Sequence, residues 1–177
     1  MTKLVRNILR FALLILVQFY VLDKVHLHKL VTPYLYFVFV LWMPFQLSRG
    51  MQMLLAFALG YTLDSFRHHP GFHAAACVLI AYIRPFLINI LIPQEGAETN
   101  YEEPSVKSMG GVLPYFIYAG VLTLIHHTWL FLLEATQFGD FWYFLLKTLL
   151  STLISLVLIA LAELLFYRKQ EFRTNTA

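Results

Sequence analysis

Six apolar stretches, at residues 4–22, 30–47, 51–63, 73–92, 112–133 and 141–167, leave this chain of 177 residues little polar length from which to build a soluble domain. A helix needs about 20 apolar residues to cross a bilayer, and about 17 are tolerable. The third stretch is short, with 14 uncharged residues between Arg49 and Asp64. It spans only if its flanking charges snorkel or the bilayer thins. The second carries Pro33 near its start, a natural place to open a helix, and Pro44 near its end, where a helix kinks or stops. Composition agrees: 59% of residues are apolar and 13% charged, against about 45–50% and about 25% in soluble domains. The expected fold is an all-α integral membrane protein, one domain over residues 1–177 with six short transmembrane helices. Lys3, Arg6 and Arg10 before FALLILVQFYVL look like a secretory signal, but the following DKVHLHKL has no small-residue cleavage site. The first stretch therefore reads as a retained span.

Orientation follows from the basic residues, which favour cytoplasmic segments. With six spans and a cytoplasmic N-terminus, nine fall inside: Lys3, Arg6, Arg10, Arg49, Arg84, Lys107, Arg168, Lys169 and Arg173. Four fall outside: Lys24, Lys29, Arg67 and the embedded Lys147. Five spans would move the basic tail across and erase the bias. Both termini are thus expected in the cytoplasm. The net charge of +3 comes from scattered basic residues, which form no patch for nucleic acid. Cys77 is the single cysteine, so an intrachain disulfide is excluded.

The longest polar stretch, residues 93–111, divides the chain four spans to two and carries Glu95, Glu98, Glu102 and Glu103. It reads as a solvated loop, or as a docking segment for a cytoplasmic partner. Ionisable groups at membrane depth are functional suspects. Asp64 shares a helix face with Arg67 and His68 and either pairs locally or crosses to His73 or the Pro70–Gly71 turn. His126 and His127 lie mid-span, with Glu134 about two turns on, roughly 10–12 Å along the axis. That distance excludes a three-ligand metal site from this helix alone, and buried histidines bonded across helices are the plainer reading. If residues 135–140 form the turn, antiparallel pairing places Lys147 opposite Thr128, between His127 and Glu134, and a stem snorkelling outward pairs it with Glu134. Arg84, near the inner end of its span, is expected to snorkel, and Glu163 to reach the interface or Arg168. Patterned nucleophiles, phosphate-binding glycine loops and cysteine pairs are absent from the sequence, so an enzyme is not expected and no cofactor is implied.

The motif Gly60-x-x-x-Asp64, a brief loop, then Pro70-Gly71-x-His73-Ala74 opening the next span resembles MreD, the bacterial rod shape-determining membrane protein family. The run IHHTWLFLLEA at residues 125–135 and LLSTL at 149–153 resemble one branch of it. The resemblance covers essentially the whole chain. It implies a non-enzymatic scaffold of the peptidoglycan elongation complex in the cytoplasmic (inner) membrane. Such a scaffold binds the single-span protein MreC and, with it, connects MreB filaments to RodA and its transpeptidase partner. It also implies a fold like the substrate-binding (S) component of energy-coupling-factor transporters. The motif residues carried over are Gly60, Asp64, Pro70, Gly71 and His73, with His126, His127, Glu134 and Lys147 as an intramembrane polar network. The doubled His68–His69 before Pro70 departs from the smaller polar residues expected there. A small-molecule-binding transporter subunit is the alternative, although its outer loops are short for capping a pocket. An intramembrane metalloenzyme using His73, His126, His127 and Glu134 is the third reading.

Overall fold

Inside a bilayer, backbone polar groups have no water to bond, so a crossing segment satisfies itself as a helix or borrows partners from neighbouring protein. The computed structural model describes residues 3–25, 31–68, 71–92, 101–134 and 141–166, and both solutions occur in it. Helix α1 covers Lys3–Leu16 and continues through a π-helical turn, Val17–Val21, and a 3-10 turn, Leu22–Lys24. A single turn, α2, covers Val38–Leu41, followed by α3 (Arg49–Arg67), α4 (Phe72–Leu91), α5 (Val112–Glu134) and α6 (Phe141–Leu165). Among the described residues, four helical segments are long and apolar enough to cross a membrane: Val5–Lys24, Phe72–Leu91, Val112–Glu134 and Phe141–Leu165. The chain is an all-helical, multi-pass membrane protein.

Two expected spans differ from that pattern. Helix α3 is 19 residues long but carries Gln52, Asp64 and Arg67, which keep it outside the strongly apolar set. Residues 31–47 do not form a membrane-length helix, because their helical part is confined to the four residues of α2. Pro44 removes a donor and stops the turn, and the run from Tyr34 to Val40 is aromatic and β-branched, a poor helix composition. This stretch is nonetheless the centre of the protein: Tyr36, Phe37, Val38, Val40 and Leu41 are all 0% exposed. Helix α4 packs against α3 on one side and α5 on the other, α5 packs against α6, and α2 touches α1, α3 and α4.

Side chains from the surrounding helices supply what the broken segment lacks. Thr32 N–H donates to Ser151 Oγ at 3.0 Å and Tyr34 N–H to Ser155 Oγ at 3.2 Å, both on α6. Gln18 accepts from Leu35 N–H at 2.8 Å and donates to the Pro33 carbonyl at 3.1 Å. Farther along, the Tyr118 hydroxyl donates to the Leu41 carbonyl at 2.9 Å, Arg84 donates to the Met43 carbonyl, and Gln52 donates to the Leu47 carbonyl at 2.7 Å. Each of these polar side chains answers a backbone group that would otherwise be buried unpaired.

The tightest helix contact is between α3 and α4. A Cβ built on Gly60 would lie 2.4 Å from Ala74 Cα and 2.6 Å from the His73 carbonyl carbon, both backbone atoms. Only hydrogen fits there, and glycine is how helices in lipid approach closely. Gly60→Ala is expected to cost about 1–3 kcal/mol through forced separation of the two backbones. Gly120→Ala on α5, where an added Cβ meets nothing within 4 Å, is expected to be neutral or mildly stabilising. Thermal unfolding of the two variants in one detergent checks the contrast, and equal melting temperatures would refute it.

Candidate functional site

Of the motif residues, Gly60, Asp64, Gly71 and His73 meet where the end of α3 faces the start of α4. Asp64, 1% exposed in the last turn of α3, accepts from His73 N–H at 3.1 Å and from Ala74 N–H at 2.9 Å. Both amides belong to the first turn of α4, which has no intrahelical partner for them. A carboxylate there also faces the positive end of the helix dipole. Of the two readings of Asp64, the crossing contact is the one formed. Gly71, at φ +88°, caps α4 in a left-handed conformation that favours glycine. His68 ends α3, also left-handed at φ +56°. His69 and Pro70 lie outside the described residues.

Arg67 turns away from its own helix. Its guanidinium grips the Asp23 carboxylate, donating from Nε at 2.8 Å and also from Nη2. Gln18 Nε2 donates to the same carboxylate at 2.7 Å. Arg67 Nη1 further donates to the Tyr34 hydroxyl at 3.2 Å and faces His73 Nε2 at 2.9 Å. The arginine thereby ties the end of α1 to α3, α4 and the buried segment.

From this point a line of bonds runs inward and its polarity is fixed. A guanidinium only donates, so His73 Nε2 accepts and the neutral ring carries its proton on Nδ1. That proton points to the Tyr36 hydroxyl at 2.9 Å. The hydroxyl hydrogen then goes to His126 Nε2 at 2.8 Å, leaving the His126 proton on Nδ1. His126 stacks on Phe37 with centroids 4.4 Å apart, and its Nδ1 has no protein partner among the described residues. His127 follows a separate path. Its Nδ1 donates to the Thr123 carbonyl at 2.8 Å, and Nε2 accepts from Ser155 Oγ at 3.2 Å. Lys147 and Glu134 form the expected pair at 3.0 Å, and the ammonium sits 4.3 Å over the Phe131 ring.

The structure thus joins His73 to His126 through Tyr36, and sends His127 and the Glu134–Lys147 pair elsewhere. Among the described residues, no three His, Cys, Asp or Glu side chains are grouped to hold a metal ion.

A second polar cluster occupies the other end of the buried segment. Arg84 does not snorkel, because it is 1% exposed. Its Nη1 donates to Gln52 Oε1 at 2.8 Å and its Nε to the Tyr118 hydroxyl at 3.0 Å, besides its bond to Met43. These partners are neutral dipoles, which a planar guanidinium fork engages better than a lysine would. Nearby, Trp42 donates to the Tyr115 hydroxyl at 3.1 Å, which donates to Glu163 at 2.9 Å. Glu163 thus turns inward. Residue 168, its other expected partner, is outside the described region.

The acidic loop is also less free than a solvated loop would be. Glu103 takes Arg10 at 2.7 Å and Arg6 at 3.3 Å, and the Glu102 carbonyl accepts from Phe45 N–H at 2.9 Å. Ser105 and Met109 are buried. Residues 101–111 therefore belong to the packed body of the protein, and residues 93–100 are not described.

Comparisons with protein-family models, with curated proteins and with solved structures give no match to this chain.

Tyr36→Phe is expected to strand His73 Nδ1 and His126 Nε2 together, at a cost of about 1–3 kcal/mol. Tyr82→Phe, on a side chain 64% exposed, should change nothing. Melting curves of the two variants give the comparison, and an unaltered Tyr36→Phe protein would mean that the relay bonds carry no stability.

Proposed function

We propose that this chain is a non-enzymatic membrane scaffold of the MreD type, binding the single-span protein MreC within the peptidoglycan elongation complex. The observation that carries the reading is how the motif residues are used. Gly60 lets two backbones touch, Asp64 caps the next helix, Gly71 turns the chain, and His73 locks α4 to Arg67 and Tyr36. These residues build a rigid α3–α4 hairpin, and a preformed shape is what a docking protein must present. RodA with its transpeptidase, and MreB through MreC, are the further partners of this reading.

The reading takes all six apolar stretches as crossings, with residues 31–47 passing through the interior as a broken segment, in an arrangement like that of the energy-coupling-factor S components. Both termini lie in the cytoplasm and the bilayer is the bacterial inner membrane. Two observations support that orientation. With six crossings, nine of the 13 basic residues are assigned to the inner segments, as positive-inside bias requires. The start of α1 and the segment before α5 are also clasped together by Arg6, Arg10 and Glu103.

Affinity purification of the tagged chain from its host membranes is expected to bring down MreC, and depletion is expected to round rod-shaped cells. Normal cell shape on depletion, together with no captured MreC, would refute the proposal.

A further inference from the structure

Beside the Arg10–Glu103 clasp, α1, the 39–47 stretch and the start of α3 leave a groove of about 380 Å³. Its walls are almost wholly apolar, with Ile8, Phe11, Phe39, Trp42, Leu47 and Leu55 among them. Ile8 and Met51 on its two sides are 58% and 45% exposed, so the groove opens sideways toward the acyl region. The volume falls in the range of about 300–1,000 Å³ typical of ligand sites. Its polar edge is cationic. Arg10 and Asn7 line it, and Arg6 lies one turn before Arg10. Arg49 is exposed, falls between the lining residues Leu47 and Met51, and has no acidic partner among the described residues.

We propose that this groove holds one acyl chain of an anionic phospholipid, whose phosphate lies at the rim beside Arg6, Arg10 and Arg49. Three features commit the site to that occupant. The walls suit hydrocarbon, because Asn7 and Arg10 are the polar side chains in an otherwise apolar lining. The rim carries a net positive charge: Arg6 and Arg10 pair with Glu102 and Glu103, while Arg49 has no acidic partner among the described residues, and an uncompensated basic group at the membrane surface favours anionic headgroups. The start of α3 adds its dipole to the same rim. A zwitterionic lipid would fill the hydrocarbon part equally well but would gain little from the rim, so the distinguishing property of the site is its headgroup preference. This inference does not depend on the proposed scaffold role.

Trp42 is the reporter. It lines the groove and is 3% exposed, whereas Trp129 and Trp142 are 40% and 69% exposed. The full-length chain carrying Trp129→Phe and Trp142→Phe is reconstituted into phosphatidylcholine vesicles containing acyl-brominated phosphatidylglycerol or acyl-brominated phosphatidylcholine. Quenching of Trp42 is expected to reach half its maximum at a roughly five- to tenfold lower mole fraction of the brominated phosphatidylglycerol. Arg6→Gln with Arg49→Gln should abolish that preference while leaving quenching by both lipids, and Leu55→Phe should weaken quenching by both. Equal half-maxima for the two lipids in the parent protein would overturn the headgroup assignment. No quenching by either would mean that lipid does not enter the groove, and would overturn the proposal altogether.

Discussion

A segment with only a single helical turn of its own, buried inside a membrane protein, decides most of this architecture. Residues 36–43 are all buried, and the stretch 31–47 contains four helical residues, so much of its backbone polarity must be met from outside. An unmet N–H or carbonyl costs several kcal/mol in a medium that cannot hydrogen-bond. The surrounding helices are therefore not free to be uniformly apolar. Gln18, Gln52, Arg84, Tyr118, Ser151 and Ser155 are each buried, and each bonds this segment's backbone.

The same logic gives the two ends of the segment different characters. At one end Arg67 gathers Asp23, Tyr34 and His73, and through His73 and Tyr36 it orders the proton positions as far as His126. At the other, Arg84 binds only neutral groups, and its charge is spread over a carbonyl, an amide and a hydroxyl. Truncating either arginine would leave several buried acceptors unmet at once. The motif hairpin is attached to the first of these hubs, since His73 contributes its backbone N–H to Asp64 and its ring to Arg67. A hairpin fixed in that way cannot adjust independently of the core.

Much of this was legible in the sequence, and the failures have physical causes. Helices α4, α5 and α6 follow from long stretches of high mean hydropathy. The Lys147–Glu134 pair follows from antiparallel pairing of the two apolar stretches, because it brings a long lysine stem within reach of the acid at the end of α5. Arg84 was misjudged because an arginine near a helix end can extend outward or inward, and only the backbone waiting inside decides which. The nature of residues 31–47 was half visible. Pro33 reads as a helix opening and Pro44 as a stop, and neither reveals that the chain between them is mostly non-helical. Gln18 and Gln52 carried a signal that charge alone overlooks, namely an amide alone in an apolar face, which is as costly to leave unbonded as it is useful to a broken neighbour. Tyr34 and Tyr36 carried none, being two of ten tyrosines and distinguishable only by position.

The dependence of the core on borrowed bonds is most directly tested by hydrogen exchange. Peptides covering residues 33–43 of the purified protein are expected to exchange as slowly as those from α5, although helix accounts for only four of these residues. Replacing Gln18 with leucine should speed exchange selectively at Leu35 and Tyr36 and leave α5 protected. Fast exchange across 33–43 in the unaltered protein, or a Gln18→Leu protein with unchanged protection there, would contradict the account.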